Sequence, residues 1–516
     1  MCLFSSDMLR VECVKIRSNA MMMKMLKVDG QLVNVNIVAV FLALSLLMAT
    51  ANASADEPTP VPLVFADSGK LKMLYDARQR PQSVCLHGRV FVVFNGDAEP
   101  TENGKGRAYP MFISYERLTG AFSKPLRFAS ESSSDHHDSP IIWADRANHL
   151  HVLFGCHKSP GTHLVSAEPI LSDAKTIEWR KGVEIAPKMS YPCVFRMRDG
   201  TDLIYYRTNG HTSTWTYRIS RDNGESWSVP ETDITDMDAK GRLDWSSYQT
   251  KIASRDKSSL HVVYTDYDDN KHQADPSRFY NPKYDTLVSN EWKYNLSYLK
   301  IDVATGNVSN SSGDLLKTPV DIEYSKQNCE IWDTQGRGAG VPPAVALSTA
   351  GEPVFLHVLS GETLKEHHYH FVRKVDESWH TTLITSSSHQ WNSGHLWCGE
   401  DGVLHALLVA GEKYLEGGYM DRHGGGVIEE WTSKDDGVTW QKYRQVSPAG
   451  QQYHGWKFNN VQPVVKADGS LIEGMLLFYG WKDQDKPEAC AFLLDESSRE
   501  HTLNGIEQGK NHHGIR

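Results

Sequence analysis

Two octapeptides constrain this chain more tightly than anything else in it. Residues 220–227 (SRDNGESW) and 433–440 (SKDDGVTW) both spell Ser-x-Asp-x-Gly-x-x-Trp. In each, the Asp carboxylate is spaced to accept hydrogen bonds from its own backbone. The Gly supplies a left-handed φ that other residues resist. The Trp gives the turn an apolar anchor. A turn of this kind joins antiparallel strands, and its recurrence points to one β-unit repeated along the chain. It carries no chemistry of its own.

The remaining sequence is punctuated in the same way. Short apolar runs at 89–95 (RVFVVFN), 149–154 (HLHVLF), 203–206, 261–264, 354–358 and 475–479 alternate with polar or Asp-Gly turns, as at Asp199-Gly200, Asp401-Gly402 and Asp468-Gly469. That alternation reads as antiparallel β. No long amphipathic helical pattern is present, which argues against Rossmann and TIM-barrel architectures. Similar segments open near Pro81, His137, Tyr191, Tyr248, Cys329, His389 and His454, at intervals of 56, 54, 57, 81, 60 and 65 residues. The long interval holds a polar, aromatic insertion over 266–292. Units of about 60 residues with four strands each predict an all-β, seven-bladed β-propeller occupying 54–516 as a single domain.

Residues 1–53 read differently. Lys24 and Lys27 precede an apolar run from Ile37 to Ala51 that ends in Ala51-Asn52-Ala53, a small-x-small cleavage pattern. This predicts a signal peptide and a secreted or periplasmic protein. The apolar run is short for a membrane span, so no membrane partner is expected after cleavage. Cys2 and Cys13 would leave with the signal. Cys85, Cys156, Cys193, Cys329, Cys398 and Cys490 are widely spaced with no CxxC, which suits neither a zinc ribbon nor a disulfide scaffold. A formal net charge of -10 and the lack of any long Lys/Arg run argue against a nucleic-acid partner.

The candidate site lies between Asp135 and Arg207. Asp135-His136-His137-Asp138-Ser139-Pro140 opens one unit and His157 follows in Phe154-Gly155-Cys156-His157. Ser190-Tyr191-Pro192 opens the next unit, and Tyr205-Tyr206-Arg207 ends its second strand. In a propeller, the start of an innermost strand and the end of the next share one rim. This predicts that His137 meets His157, that Tyr191 meets Arg207, and that adjacent units bring the four together. The set lacks the paired carboxylates of a glycosidase. It suits proton abstraction beside a carboxylate, hence β-elimination in an acidic polysaccharide, with no cofactor needed for the step. Arg207 would clamp the carboxylate and His137 would donate to it. Tyr191, its pKa lowered by Arg207, or else His137 or His157, would be the base. The competing structural reading is that these residues pack loops at the rim.

The runs DHHDSP…FGCH and SYP…YYR, together with the two octapeptides, resemble the BNR-repeat propeller polysaccharide lyases. The closest resemblance is to ulvan lyases of the polysaccharide lyase family 25 type, and the octapeptides resemble the Asp-box of sialidase-like propellers. The resemblance implies a seven-bladed fold and cleavage before glucuronic or iduronic acid in a sulfated rhamnose polymer, leaving an unsaturated uronyl end. It assigns the family's histidines to His137 and His157, its tyrosine, as base and then acid, to Tyr191, and its arginine to Arg207. Tyr248 matches a further tyrosine, and His136, Tyr206 and Trp245 are expected substrate contacts. It also implies a structural zinc, for which Cys329, His272 and His389 are the candidate ligands. The expected partner is an acidic sulfated polysaccharide and the expected state a monomer. Two alternatives share the fold. A sialidase-like glycoside hydrolase would use Arg78, Arg80 and Arg207 as an arginine cluster. A non-catalytic carbohydrate-binding propeller would stack sugars on Trp245, Trp391 and Trp456.

Overall fold

The structure is a computed structural model. It describes residues 61–69, 72–99, 107–172, 176–208, 214–237, 246–267, 280–288, 291–410, 423–482 and 489–496, with three short strands before residue 35. The chain divides into two units, Met1–Pro60 and Val61–Arg516. In the first, Cys13–Val14, Met25–Val28 and Gln31–Asn34 form an antiparallel meander. The apolar run and the cleavage pattern lie outside the described residues.

The second unit is all-β and built from many sheets. Its repeating element is a four-stranded antiparallel meander. Ile141–Ala144, Leu150–Phe154, Thr162–Ser166 and Trp179–Lys181 pair in sequence order. So do the strands running from Met189–Arg196 to Glu231–Ile234, from Ala344–Leu347 to Ser378–Ser387, and from His395–Cys398 to Gln441–Gln445. The sheet starting at Ser246–Ala253 adds Glu330–Trp332 and Gly338–Ala339 to the edge of Lys293–Asp302. Among the described residues the one α-helix is Ile322–Asn328. No helix among them is long and apolar enough to cross a membrane.

The large sheets are covered on both faces, which explains why their inner strands read as continuous apolar runs. Ile142, Ala144 and Val152 pack toward Val84, Phe91 and Phe112 of the preceding sheet. Ile141, Trp143 and Leu153 pack toward Val194, Ile204 and Tyr206 of the following one. The period-2 alternation of a strand sends neighbouring residues to opposite interfaces, so the core is a series of inter-sheet layers.

The last and first sheets are joined. Lys457–Lys466 pairs parallel with Ser83–Leu86 through Val465 and Val84. Leu63–Gly69, near the start of the unit, is the outer strand of the final sheet and pairs with Ala489–Asp495.

The two octapeptides are equivalent turns. Gly224 N donates to Ser220 Oγ (2.9 Å), and Ser226 N donates to Asp222 Oδ1 (2.9 Å). Gly437 N donates to Ser433 Oγ (2.8 Å), and Thr439 N donates to Asp435 Oδ1 (2.9 Å). Gly224 and Gly437 have φ of 80° and 85°. Each turn docks on the sheet before its own. A Cβ on Gly224 would stand 2.8 Å from His151, and one on Gly437 would collide with the ring of Phe371. Trp440 meets Phe371 edge-on at 5.2 Å.

The repeat departs from the expected spacing at one place. Cys329 was expected to open a unit, but it caps the helix Ile322–Asn328, and the strand after it joins the sheet before it. The next inner strand is Ala344–Leu347. The 81-residue interval therefore contains a helix and two added edge strands as well as the 266–292 insertion, where Tyr280–Asn281 and Thr286–Leu287 form a small hairpin.

Candidate active site

The segments that lead into the inner strands carry the site. Before Ile141–Ala144, the turn His136–Asp138 is capped by Asp135, whose Oδ1 accepts from His137 N at 3.0 Å. The same oxygen lies 2.5 Å from His137 Nδ1, and Asp135 Oδ2 lies 2.5 Å from His157 Nδ1. The two imidazole rings are 4.3 Å apart, and His136 stacks 4.1 Å from His137 on the other side. All three imidazoles are half-buried. Burial works against the Asp135 carboxylate, but the hydrogen bonds from His137 and His157 outweigh it and hold its pKa well below the usual carboxylate range. Burial dominates at His137 despite Asp135, and its pKa is pushed down to about 4. At neutral pH this imidazole is uncharged.

Tyr191 begins the next sheet in a left-handed backbone (φ 56°), a conformation that costs an aromatic residue roughly 1–3 kcal/mol. The pairing of its strand shifts register between Ser190 and Cys193, so the residue is turned out of the ladder. Its ring meets His137 edge-on at 5.5 Å, and its hydroxyl is 3.0 Å from that of Tyr248. Beneath the pair lies Arg207, 1% exposed, with its guanidinium 4.7 Å from the Tyr191 ring and 5.2 Å from that of Tyr248. Among the described residues, none of its three guanidinium nitrogens has an acceptor in good hydrogen-bond geometry, and the Tyr248 phenol is the group that favours its charge most. Burial opposes its charge, but the phenols of Tyr248, Tyr191 and Tyr267 outweigh that and raise its pKa.

The structure thus brings His136, His137, His157, Tyr191, Tyr248 and Arg207 together. Two features bear on the expected roles. Arg207 lies under the two rings, buried, with its guanidinium against the phenols. The Tyr191 pKa is raised well above its ordinary value, because burial and the Tyr248 phenol outweigh the lowering by Arg207 and Arg78. At neutral pH Tyr191 is therefore held in its protonated form.

Other expected residues lie elsewhere. Tyr206 faces the opposite side of its strand from Arg207. It packs in the layer with Ile141 and Trp143, and its hydroxyl accepts from Arg218 Nε at 3.0 Å. Trp245 and His272 lie outside the described residues. Cys329 is buried in the apolar layer with Tyr264 and Leu299, and burial pushes its thiol up to about 11. His389 is also buried, and its Nδ1 accepts from Trp391 N. Among the described residues, no trio of metal-ligand groups includes Cys329 or His389, and the third expected ligand, His272, lies outside those residues. A potential tridentate metal site does exist at Asp135, His136 and His137, whose ligand atoms lie within 4.8 Å of one another. Each Asp135 oxygen also accepts from an imidazole Nδ1, so an ion there would share that carboxylate with His137 and His157.

Several members were not anticipated in these roles. Tyr75 is fully buried against His136, His137 and Tyr191. Arg78 binds Asp76 through two nitrogens (2.8 and 2.5 Å) and lies over the rings of Tyr75, Tyr191 and Tyr248. Lys72 Nζ is 3.3 Å from His136 Nε2. Lys293 lies over Tyr248 and Trp391. The signal for Tyr75 and Arg78 was their position just ahead of the first inner strand, equivalent to that of His137 ahead of the second.

A family model described as "BNR repeat-containing family member" matches residues 108–387. An ulvan lyase of polysaccharide lyase family 25 from Pseudoalteromonas sp. (strain PLSV) is 23% identical over 66% of this chain and 67% of its own length. An ulvan lyase from Alteromonas sp. (strain LOR) is 21% identical over 70% of this chain and 73% of its own. A solved family 25 ulvan lyase superposes with a TM-score of 0.65 at 18% identity, covering 84% of this chain and 96% of that one. This last likeness shows a shared fold.

Proposed function

The chain belongs to the BNR repeat-containing family, and from that premise we propose that it is an ulvan lyase. In this reading it cleaves a sulfated rhamnose–uronic acid polysaccharide by β-elimination and leaves an unsaturated uronyl end. The meanders are the blades of a seven-bladed propeller, the octapeptides are its Asp-box turns, and residues 1–53 are a signal peptide for a secreted or periplasmic monomer.

One observation carries the chemistry. A pair of imidazoles, of which His137 is uncharged at neutral pH, stands at the entrance to a buried tyrosine pair that covers a guanidinium with no acceptor in good hydrogen-bond geometry among the described residues. His137 or His157 takes the C5 proton of the uronate through Nε2. The electron pair forms the C4–C5 double bond as the C4–O bond breaks, and Tyr191 gives its proton to the departing oxygen. Arg207, acting through the rings, stabilises the phenolate that Tyr191 becomes. Lys72, Arg78, Arg207 and Lys293 supply a local positive field that lets a net-acidic protein receive a polyanion.

The test is incubation with ulvan, alginate, pectin and heparin, following the ultraviolet absorbance of the new double bond. Release of a saturated sugar would instead mark a hydrolase, and binding without cleavage a carbohydrate-binding module. Tyr191→Phe, which removes the acid, is expected to lower turnover roughly 10²- to 10⁴-fold. Near-normal turnover in that folded variant would remove Tyr191 from the mechanism.

A further inference from the structure

A single carboxylate is shared by the two imidazoles of the site. Asp135 Oδ1 lies 2.5 Å from His137 Nδ1 and Asp135 Oδ2 lies 2.5 Å from His157 Nδ1. An ionised carboxylate accepts hydrogen bonds and donates none. Both contacts therefore require a hydrogen on Nδ1, so that in a neutral ring the lone pair falls on Nε2. The carboxylate is itself held in place. Asp135 caps the 136–138 turn, and its backbone N donates to Ser133 Oγ at 3.0 Å, while Ser133 Oγ donates to Asp138 Oδ2 at 2.6 Å. His157 Nε2 is buried with no hydrogen-bond partner among the described residues, as expected of a lone pair kept for a group that is not part of the chain.

We propose that Asp135 is the positioning residue of the site, fixing His137 and His157 together in the Nδ1–H tautomer so that both present Nε2 as proton acceptors. The inference rests on the lyase reading for its consequence in turnover but on hydrogen-bond geometry for the tautomer. Sharing one carboxylate has a chemical point. When either imidazole accepts a proton, the new cation already touches the Asp135 anion, and the second imidazole stays neutral beside it. An amide cannot do this, because Asn offers one acceptor oxygen and one donor nitrogen. In Asp135→Asn one imidazole keeps Nδ1–H and the other is forced to Nε2–H, which turns a proton acceptor into a donor. Asp135→Glu keeps two acceptor oxygens and is the conservative control.

Two measurements test the inference on the whole mature protein. Long-range proton–nitrogen correlation spectra of histidine-labelled wild type are expected to show two Nδ1–H imidazoles that are both perturbed by Asp135→Asn, one of them switching to Nε2–H. On ulvan, Asp135→Asn is expected to lose roughly 10²- to 10⁴-fold in kcat with KM little changed, and Asp135→Glu to recover part of the loss. Wild-type spectra showing Nε2–H at both histidines would overturn the proposal even if the variant failed to fold. So would a folded Asp135→Asn enzyme with wild-type kcat. A wild type that cleaves no uronate polymer would defeat the lyase reading alone, since the spectra would still decide the tautomers.

Discussion

The turn at 220–227 and the cluster around Tyr191 both use left-handed backbone and buried polar atoms, and they use them in opposite ways. In the turn, the positive φ that matters most falls on Gly224, where it costs little, and Ser220 and Asp222 satisfy the turn's amides. In the cluster, the positive φ falls on a tyrosine, and an arginine is buried against phenol rings with no acceptor in good hydrogen-bond geometry among the described residues. The first arrangement lowers free energy wherever it is placed. The second raises it and persists only because the surrounding sheets hold it. A fold built from many equivalent meanders can carry such a site because the other layers stay locally consistent.

The largest expected effect tests that contrast directly. Arg207→Met replaces a buried cation held against phenol rings by an apolar side chain of similar length. Turnover on ulvan should fall roughly 10²- to 10³-fold, while the melting temperature holds or rises. A large drop in melting temperature would mean that the guanidinium is structural and that the contrast fails. Gly437→Ala should do the reverse. The new Cβ meets Phe371 in a left-handed backbone, costing about 1–3 kcal/mol in denaturant unfolding and leaving turnover per folded molecule unchanged.

Acid should weaken the turn region next. Gly224 sits on His151, whose Nδ1 is 3.0 Å from His163 Nε2. Burial pushes the His163 pKa down to about 4 and lowers that of His151 as well. An unfolded histidine titrates near 6.5, so between about pH 6.5 and 4 the unfolded chain binds more protons than the folded one. Stability is then lost as pH falls through that window, by at most about 1.4 kcal/mol per pH unit for each imidazole. A His163→Gln variant with the same pH slope as wild type would show that this pair is not responsible. Smallest of all, Tyr206→Phe removes one hydroxyl that accepts from Arg218 and should cost about 1 kcal/mol with turnover intact. Lost turnover would bring Tyr206 back among the substrate contacts.

How legible each part was depended on how local its cause is. The octapeptides spell their own hydrogen bonds, so their turns could be read without any tertiary information. Placing His137 with His157 and Tyr191 with Arg207 needed only the meander and its period. Strand alternation, if carried one step further, would also have put Tyr206 on the face opposite Arg207. The sequence period misplaced Cys329 because a helix and two edge strands are inserted there, which spacing alone cannot separate from a new unit. The raised Tyr191 pKa was out of reach for a different reason. Depth of burial, set by residues as distant as Tyr75 and Tyr248, outweighs the neighbouring charge that the sequence suggests.

The pairing of Leu63–Gly69 with Ala489–Asp495 has a consequence for the order in which the molecule can be assembled. Leu63 meets Leu493, 430 positions later, and closing a loop of that length costs ~5 kcal/mol of chain entropy before any contact offsets it. The final sheet cannot be completed until nearly the whole chain has been synthesised, so this strand is the last to dock or the first to be trapped elsewhere. Until it docks, Ala489–Asp495 is an apolar edge open to any strand that reaches it, including the same segment of another copy. A chain shortened past Gly69 would carry that open edge permanently, and its failure would be seen as self-association at high concentration before any change in the chemistry at Tyr191.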